Sequence, residues 1–412
     1  MSNFYRFVAQ RLNQHSLKNT KKFSFSAIAA RIAIASIAIG LAIILIAFGV
    51  LRGFEQAIQD KLFSFHGHFQ VTFFDTNNSY QDAPISTNTY LFQRYREILD
   101  IAHLQGYIQK PAIIKAQDEV HGVILKGIGK DFYWQKFKPH FKKGNFIAFS
   151  KDSTASVDII ISQKIANRLN LNLHDTILVY FVQNPPRFRK LHVCGIYETG
   201  MEDLDEKLAL VDIQLVRKLN QWADTLVGGY EIFIKDFDNY AEATKVIYDK
   251  MAYDMRLERI TDKFVAVFDW LILLKNNVRI FLALILIVAC FNMSAILLIM
   301  IMERTSMIGI LKALGATNAQ IRQIFLWQAI YLIFRGLLWG NIVGLGICLV
   351  QYYCKLIPLD MENYYMHSVP IAWDWGAIML VNFLTFGLIF LVTLIPTQII
   401  ASIQPIKAIR FD

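Results

Sequence analysis

The sequence predicts an α-helical membrane protein: four transmembrane helices, with a large α+β extracytoplasmic domain between the first and the second. Three observations predict it. Of the 412 residues, 55% are hydrophobic, too many for an ordinary soluble protein. The apolar residues gather into four runs, near 32–51, 280–302, 324–350 and 377–395. Each is long enough to cross about 30 Å of hydrocarbon at 1.5 Å per residue. The polar stretch of about 225 residues between the first two runs mixes strand-like and helix-like patterns, enough for one or two globular domains.

Taken in order, residues 1–26 form a cytoplasmic amphipathic segment and 27–51 the first transmembrane helix. Within "FYRFVAQRL", Phe4, Phe7, Val8 and Leu12 share one helical face. That suits a helix lying along the inner membrane surface, or equally a helical lead into the first span. A cleaved signal peptide is the competing reading of the first run. The long polar lead and the lack of a small-x-small cleavage site favour an uncleaved anchor. The outer domain then occupies 52–277, the second helix 278–302, a cytoplasmic strip 303–323, the third helix 324–350, a short outer loop 351–376, the fourth helix 377–398 and a cytoplasmic tail 399–412.

Charge gives the orientation. The stretch 52–277 holds 28 Lys+Arg and 28 Asp+Glu and is neutral, so the net +9 comes from the rest of the chain. Residues 1–31 hold six bases (Arg6, Arg11, Lys18, Lys21, Lys22 and Arg31) and no acid. The strip 303–322 sets Arg304, Lys312 and Arg322 against Glu303, whereas 351–376 sets Lys355 against Asp360, Glu362 and Asp374. Positive charge marks the cytoplasmic side. Both termini and the strip are therefore expected inside, and the large domain outside.

Strand-like runs in the outer domain are 67–75, 119–128, 157–162, 175–182, 190–198, 207–212 and 230–236; helical patterns fall near 88–103, 162–170, 212–222 and 239–253. Interspersed strands and helices predict a mixed α+β domain. Its lone Cys194 excludes an internal disulfide.

In the first span Ala29/Ala33, Ser36/Gly40 and Ala38/Ala42 recur at four-residue spacing, and Gly336, Gly340 and Gly344 do so in the third. These read as helix-packing faces, because small residues let backbones approach where apolar burial gives no drive to associate. The alternative is the general Ala and Gly richness of membrane helices. The spacing does not say whether the neighbour is in this chain or in another subunit. Arg31 is placed to snorkel to the inner headgroups. Arg335, well inside the third run, marks either a functional contact or a span that starts later.

Motifs of soluble catalysis are missing. There is no GxxxxGK[ST], HExxH, CxxC or GxSxG, so no nucleotide, metal or nucleophile site is read and no catalytic residue is assigned. His66 and His68 would share a strand face, but without a third ligand they read as two surface-edge histidines rather than a metal pair. The neutral outer domain argues against nucleic-acid binding.

The strip "ERTSMIGILKALGATNAQIR" is too polar to enter a bilayer and too short to fold alone. Met307, Ile310, Leu311 and Leu314 stand at i, i+3, i+4 and i+7, one apolar stripe, with Thr305 and Lys312 on the other side. Gly315 is placed as the residue after a helix end, and Thr317 with Gln320 as a capping box opening the next helix. A stiff helix between two spans suits transmission of force from a cytoplasmic partner; a passive helix lying on lipid fits the pattern equally.

"MERTSMIGILKALGATNAQI" (302–321) closely resembles the motif after the second span in the FtsX/MacB superfamily of ABC-transporter permeases. "LRGFEQAIQDKLFSFHGHFQVT" (51–72) and "GIYETGMEDLDEKLALVDI" (195–213) resemble segments of its lipoprotein-releasing LolC/LolE branch, and "IPTQIIASIQPIKAIRFD" (395–412) resembles the closing element of the family. The resemblance spans essentially the whole chain.

It implies a permease subunit of the bacterial inner membrane, paired with a second permease (a copy or a paralogue) and with LolD-like ATPase subunits. The ATPases would bind ATP and Mg, leaving this chain without a cofactor. Glu303, Arg304, Met307, Ile308, Gly309, Leu311, Lys312, Leu314 and Gly315 then form the ATPase-coupling helix. A lipoprotein would be lifted from the membrane lipid and passed to a periplasmic LolA-like carrier. In that branch a loop of the outer domain hooks the carrier. The matching segment here is "VQNPPRFRK" (182–190), where Pro185, Pro186 and Arg187 form either a hook or an ordinary hairpin loop. An FtsX-type signalling subunit and a MacB-type exporter are the alternatives. The large outer domain counts against the first, and the missing ATPase sequence against the second.

Overall fold

The computed structural model describes residues 25–74, 83–98, 100–116, 119–149, 155–183, 185–398 and 400. The expected amphipathic segment up to residue 24, and the expected tail apart from Ile400, lie outside the described residues. The described residues divide into two compact units, one drawn from the ranges 1–55, 270–358 and 368–412, the other from 56–269 and 359–367.

The first unit is built from helices. Among the described residues, four are long and apolar enough to cross a membrane. They are α1 (Phe25–His66), α5 (Val265–Glu303), α7 (Asn318–Cys354) and α8 (Trp375–Thr397). The shorter helices include α2 (Gln163–Arg168), α3 (Ile213–Asn220) and α4 (Tyr240–Lys250), which belong to the second unit, and α6 (Thr305–Ala313), which belongs to the first. α1 and α5 extend beyond the apolar runs that predict them. The core of this unit gathers Ala33, Ile37 and Leu41 of α1, Leu297 and Met300 of α5, Phe325 and Ile333 of α7, and Ile389 of α8. Polar pairs add to it. Asn341 and Asn382 exchange amide hydrogen bonds at 2.6 and 3.1 Å between α7 and α8. Glu55 of α1 takes Lys275 of α5 at 2.8 Å and Arg52 at 3.2 Å. Side-chain hydrogen bonds between apolar helices each contribute roughly 0.6 kcal/mol. Asp374 caps α8 by accepting from Ala377 N at 3.0 Å.

The second unit is built on a mixed sheet. Its strands are β1 (Phe69–Phe73), β2 (Ile101–Ala116), β3 (Glu119–Ile128), β4 (Phe141–Gly144), β5 (Asp158–Ser162), β6 (Thr176–Phe181), β7 (Arg187–Tyr197), β8 (Leu208–Asp212), β9 (Gly229–Ile234) and β10 (Met255–Arg259). Along the sheet they run β10-β1-β9-β2-β3-β8-β5-β7-β4, with β6 joining β2 to β7. The β3–β8 and β5–β7 pairs are parallel and the other pairs antiparallel. Ile108, Leu125, Val211 and Ile232 of the sheet pack with Val216 of α3 and Ile247 of α4 into one core.

The helix expected over 88–103 is not there. Only Tyr90–Gln93 is α-helical and Tyr95–Glu97 is one tight turn; from Ile101 the chain is strand β2. β2 pairs with β9 over its first half, with β3 over its second, and with β6 from Ala112 to Lys115. Tertiary pairing outweighs the local pattern here. Pro111 sits inside the strand, where its missing N–H argues against a strand in the sequence.

His66 and His68 correct another expectation. They are not surface-edge residues but buried, 5% and 9% exposed, where α1 runs into β1. His68 stacks on Phe63 with ring centroids 4.1 Å apart, and Gln70 lies 3.3 Å from His66 Nδ1. Burial lowers the pKa of His68 to about 3 and holds that of His66 well below its usual value, so both are neutral at physiological pH. Among the described residues no group of three or more His, Cys, Asp or Glu side chains could hold a metal ion. The thiol of Cys194 is half-buried and pushed up to about 12, so it is a poor nucleophile.

The centre of the sheet holds a fully buried ion pair. Lys126 of β3 meets Glu231 of β9 at 2.6 and 2.8 Å. Gln105 and Gln70 donate to the same carboxylate at 2.9 and 3.2 Å, and Lys126 also donates to the carbonyl of Phe65 in the last turn of α1. The ammonium thus closes a helix end whose carbonyls have no partner within the helix.

Candidate functional site

The strip between α5 and α7 is built by its caps. Glu303 is the last residue of α5; Arg304 leaves the helical region and caps α6. At the far end Leu314 is the cap and Gly315 turns left-handed at φ +93°. Gly315 N donates to Lys312 O at 3.0 Å and Ala316 N to Leu311 O at 2.9 Å. This pair of reversed bonds satisfies the terminal carbonyls, and glycine adopts the turn without a Cβ penalty. Thr317 then opens α7 with a reciprocal box: Gln320 N donates to its hydroxyl at 3.4 Å, and its own N–H donates to Gln320 Oε1 at 2.9 Å. Two helices are therefore joined by a corner with few free dihedrals.

The single apolar stripe splits. Ile308 and Gly309 are buried, Met307 and Leu311 pack partly against the helical core, and Ile310 and Leu314 point outward at 51% and 79% exposure. The break at Arg304 sets the rotation of α6, so the inward face centres on Ile308 rather than on the stripe. Lys312 is not on a free polar side either; it is half-buried and donates to Ile400 O at 2.9 Å.

The small residues sort onto two faces of α1. A Cβ added at Gly336 would lie 2.7 Å from Ile37 Cβ, at Gly340 2.9 Å from Ala38 O, and at Gly344 2.9 Å from Ala42 Cα. α7 thus closes on α1 backbone to backbone, and the neighbour is in this chain. Ser36 and Gly40 face α5 instead: Asn292 donates to Ser36 Oγ, and a Cβ at Gly40 would meet Ile285 and Ala289 at ordinary contact distances. Arg335 is exposed on α7, its guanidinium 4.6 Å over the ring of Tyr331.

In the outer domain, β6 and β7 pair antiparallel from Thr176↔His192 to Phe181↔Arg187. Pro185 and Pro186 are exposed in the connection between them, while Arg187 already belongs to β7. Val182 and Phe188 are exposed beside them, with Arg189 and Lys190 further along the strand.

Comparison with known proteins fits this anatomy. A family model described as MacB-like periplasmic core domain matches residues 31–246, and one described as FtsX-like permease C-terminal matches residues 279–405. Together they define the class, a permease whose helical bundle carries a MacB-like domain. The lipoprotein-releasing system transmembrane protein LolC of Neisseria meningitidis is 25% identical, over 96% of this chain and 97% of that one. LolC of Xylella fastidiosa is 22% identical over 96% and 97%, and LolE of Haemophilus influenzae 20% identical over 98% of each chain. The chain belongs to the FtsX/MacB permease superfamily and, within it, to the LolC/LolE type.

Proposed function

We propose that this chain is the permease subunit of an ABC transporter that extracts lipoproteins from the outer leaflet of the inner membrane and hands them to a soluble periplasmic carrier. ATP and Mg are bound and ATP is hydrolysed by separate LolD-like subunits, with a second permease, identical or paralogous, completing the membrane part. The observation that carries this reading is the similarity to LolC and LolE along nearly the whole chain. The rigid corner built into α6 supports it. An outward pair of large apolar side chains on a helix held at both ends suits a protein partner that pushes on it. Both termini and α6 then face the cytoplasm and the sheet domain the periplasm.

In this mechanism ATP-driven closure of the partner subunits moves α6. The caps and the Gly336–Gly344 packing limit bending, so the displacement passes along the helices to the outer domain. Extraction exposes acyl chains at about 0.8 kcal/mol per CH₂, which is why hydrolysis and a shielded route are needed. Purification in mild detergent followed by mass spectrometry tests the reading. An ABC ATPase and triacylated proteins are expected to co-purify, and a preparation that contains neither overturns it.

The Pro185–Arg187 tip is the proposed contact for the LolA-like carrier. The double variant Pro185→Ala, Arg187→Glu is expected to cut photo-crosslinking to the carrier by roughly tenfold, the loss of about 1.4 kcal/mol. Assembly with the ATPase should be unaffected. Crosslinking at the parental level would remove the hook assignment.

A further inference from the structure

The connection between α7 and α8 does more than join two spans. Its residues 359–367 belong to the same compact unit as the sheet domain. Leu359 N donates to His367 O at 2.9 Å, which closes the loop on itself. Inside it a short helix, Met361–Tyr364, ends at Tyr365, whose backbone is left-handed at φ +62°. A bulky aromatic residue rarely adopts that conformation and keeps it only where its surroundings hold it. Tyr365 N donates to Met361 O at 3.0 Å, and its carbonyl accepts from the ammonium of Lys61 on α1.

The other wall of this contact is the turn 199–201, inside the segment "GIYETGMEDLDEK". The buried carboxylate of Asp205 organises it, accepting from Thr199 N at 3.1 Å, Thr199 Oγ1 at 2.8 Å and Gly200 N at 2.8 Å. Gly200 is itself left-handed at φ +76°. A Cβ there would lie 2.9 Å from Tyr365 O and 2.5 Å from Met361 Cε, so the loop fits only against a residue without a side chain. Around it, Glu198 lies 2.7 Å from Lys142 and 3.7 Å from His367. Burial lowers the pKa of Lys61 to about 8, while Asp205 and Glu198 oppose that shift and Lys142 adds to it. The ammonium is thus partly desolvated to reach one backbone carbonyl.

We propose that this contact is a latch. Lys61, Gly200 and Tyr365 are positioning residues that fasten the α7–α8 connection to the outer domain, giving movement of α7 and α8 a route into that domain separate from the continuous helices α1 and α5. The latch rests on the transport reading for its purpose, but its existence can be tested without it.

Lys61→Met removes the donor and keeps the apolar stem; Gly200→Val fills the seat; Lys61→Arg keeps a donor. In hydrogen exchange of the full-length complex, Lys61→Met is expected to speed exchange of 359–367 and 199–201 together, leaving 101–128 protected as before. If the two segments respond independently, or neither responds, the latch is overturned whatever transport does. In proteoliposomes holding the complete complex, Lys61→Met and Gly200→Val are each expected to lower lipoprotein released per ATP hydrolysed by at least about fivefold, the low end of coupling between linked sites. The hydrolysis rate should be kept, and Lys61→Arg should restore release. Parental release per ATP in both variants overturns the coupling role. Failure of the parental complex to release lipoprotein would instead count against the transport reading, and the exchange result alone would then decide the latch.

Discussion

Replacing Lys126 with alanine is expected to destabilise the outer domain by about 3–5 kcal/mol, because it leaves the Glu231 carboxylate charged, dry and without its counter-ion. Glu231 accepts from Lys126 at 2.6 and 2.8 Å and both side chains are fully buried. The amides of Gln70 and Gln105 remain within hydrogen-bond distance, but two neutral donors do not replace a full charge. Lys126→Ala also removes the donor to the Phe65 carbonyl in the last turn of α1, a second loss of about 1 kcal/mol. The double variant Lys126→Met, Glu231→Leu should cost clearly less than Lys126→Ala alone, since no uncompensated charge is left; it will not reach parental stability, because the two glutamine amides and the Phe65 carbonyl lose their partner. Denaturant unfolding of the full chain, followed by hydrogen exchange in β3 and β9, measures both. A cost below about 1 kcal/mol for Lys126→Ala would mean that water reaches Glu231 and that the sheet centre is not closed as described.

This pair shows what can be read from sequence and what cannot. A lysine inside "VILKGI" and a glutamate inside "YEIFI" are charged residues at positions an apolar strand should fill, which signals burial with a partner. Which lysine meets which glutamate depends on two pairings of β2 that no local pattern contains. β2 itself is masked by Pro111 and Gly106, residues that count against a strand until its branching neighbours are known. The four spans are legible because lipid demands an unbroken apolar run, and the ends of α6 and α7 because capping is chemistry between residues a few positions apart. The phase of α6 is not legible: its rotation follows from a single non-helical residue, Arg304, and a repeat of apolar positions does not record that. The partner of Lys61 is less accessible still, since its acceptor stands 304 positions away.

Ile310→Glu with Leu314→Glu is expected to abolish productive coupling to the ATPase while leaving the permease folded. The two positions lie one turn apart, Ile310 on the outward side of α6 and Leu314 at its C-terminal cap, 51% and 79% exposed, so neither contributes much to the helical core. Full burial of one such side chain against a partner is worth roughly 1.5–3 kcal/mol, and two carboxylates forced into the same contact would reverse that gain. The ATPase should therefore associate at least about a hundredfold more weakly, a loss of close to 2.7 kcal/mol. Gly309 is a poorer position for this test. It is buried, so a bulky residue there would disturb the packing of α6 itself before it met any partner. A helix that merely rests on lipid would respond differently, losing membrane contact but keeping its ATPase. Co-purification of the ATPase and ATP-dependent release, measured together on the double variant, separate the two cases. Retention of both at parental levels would mean that α6 is not where the nucleotide cycle meets the membrane.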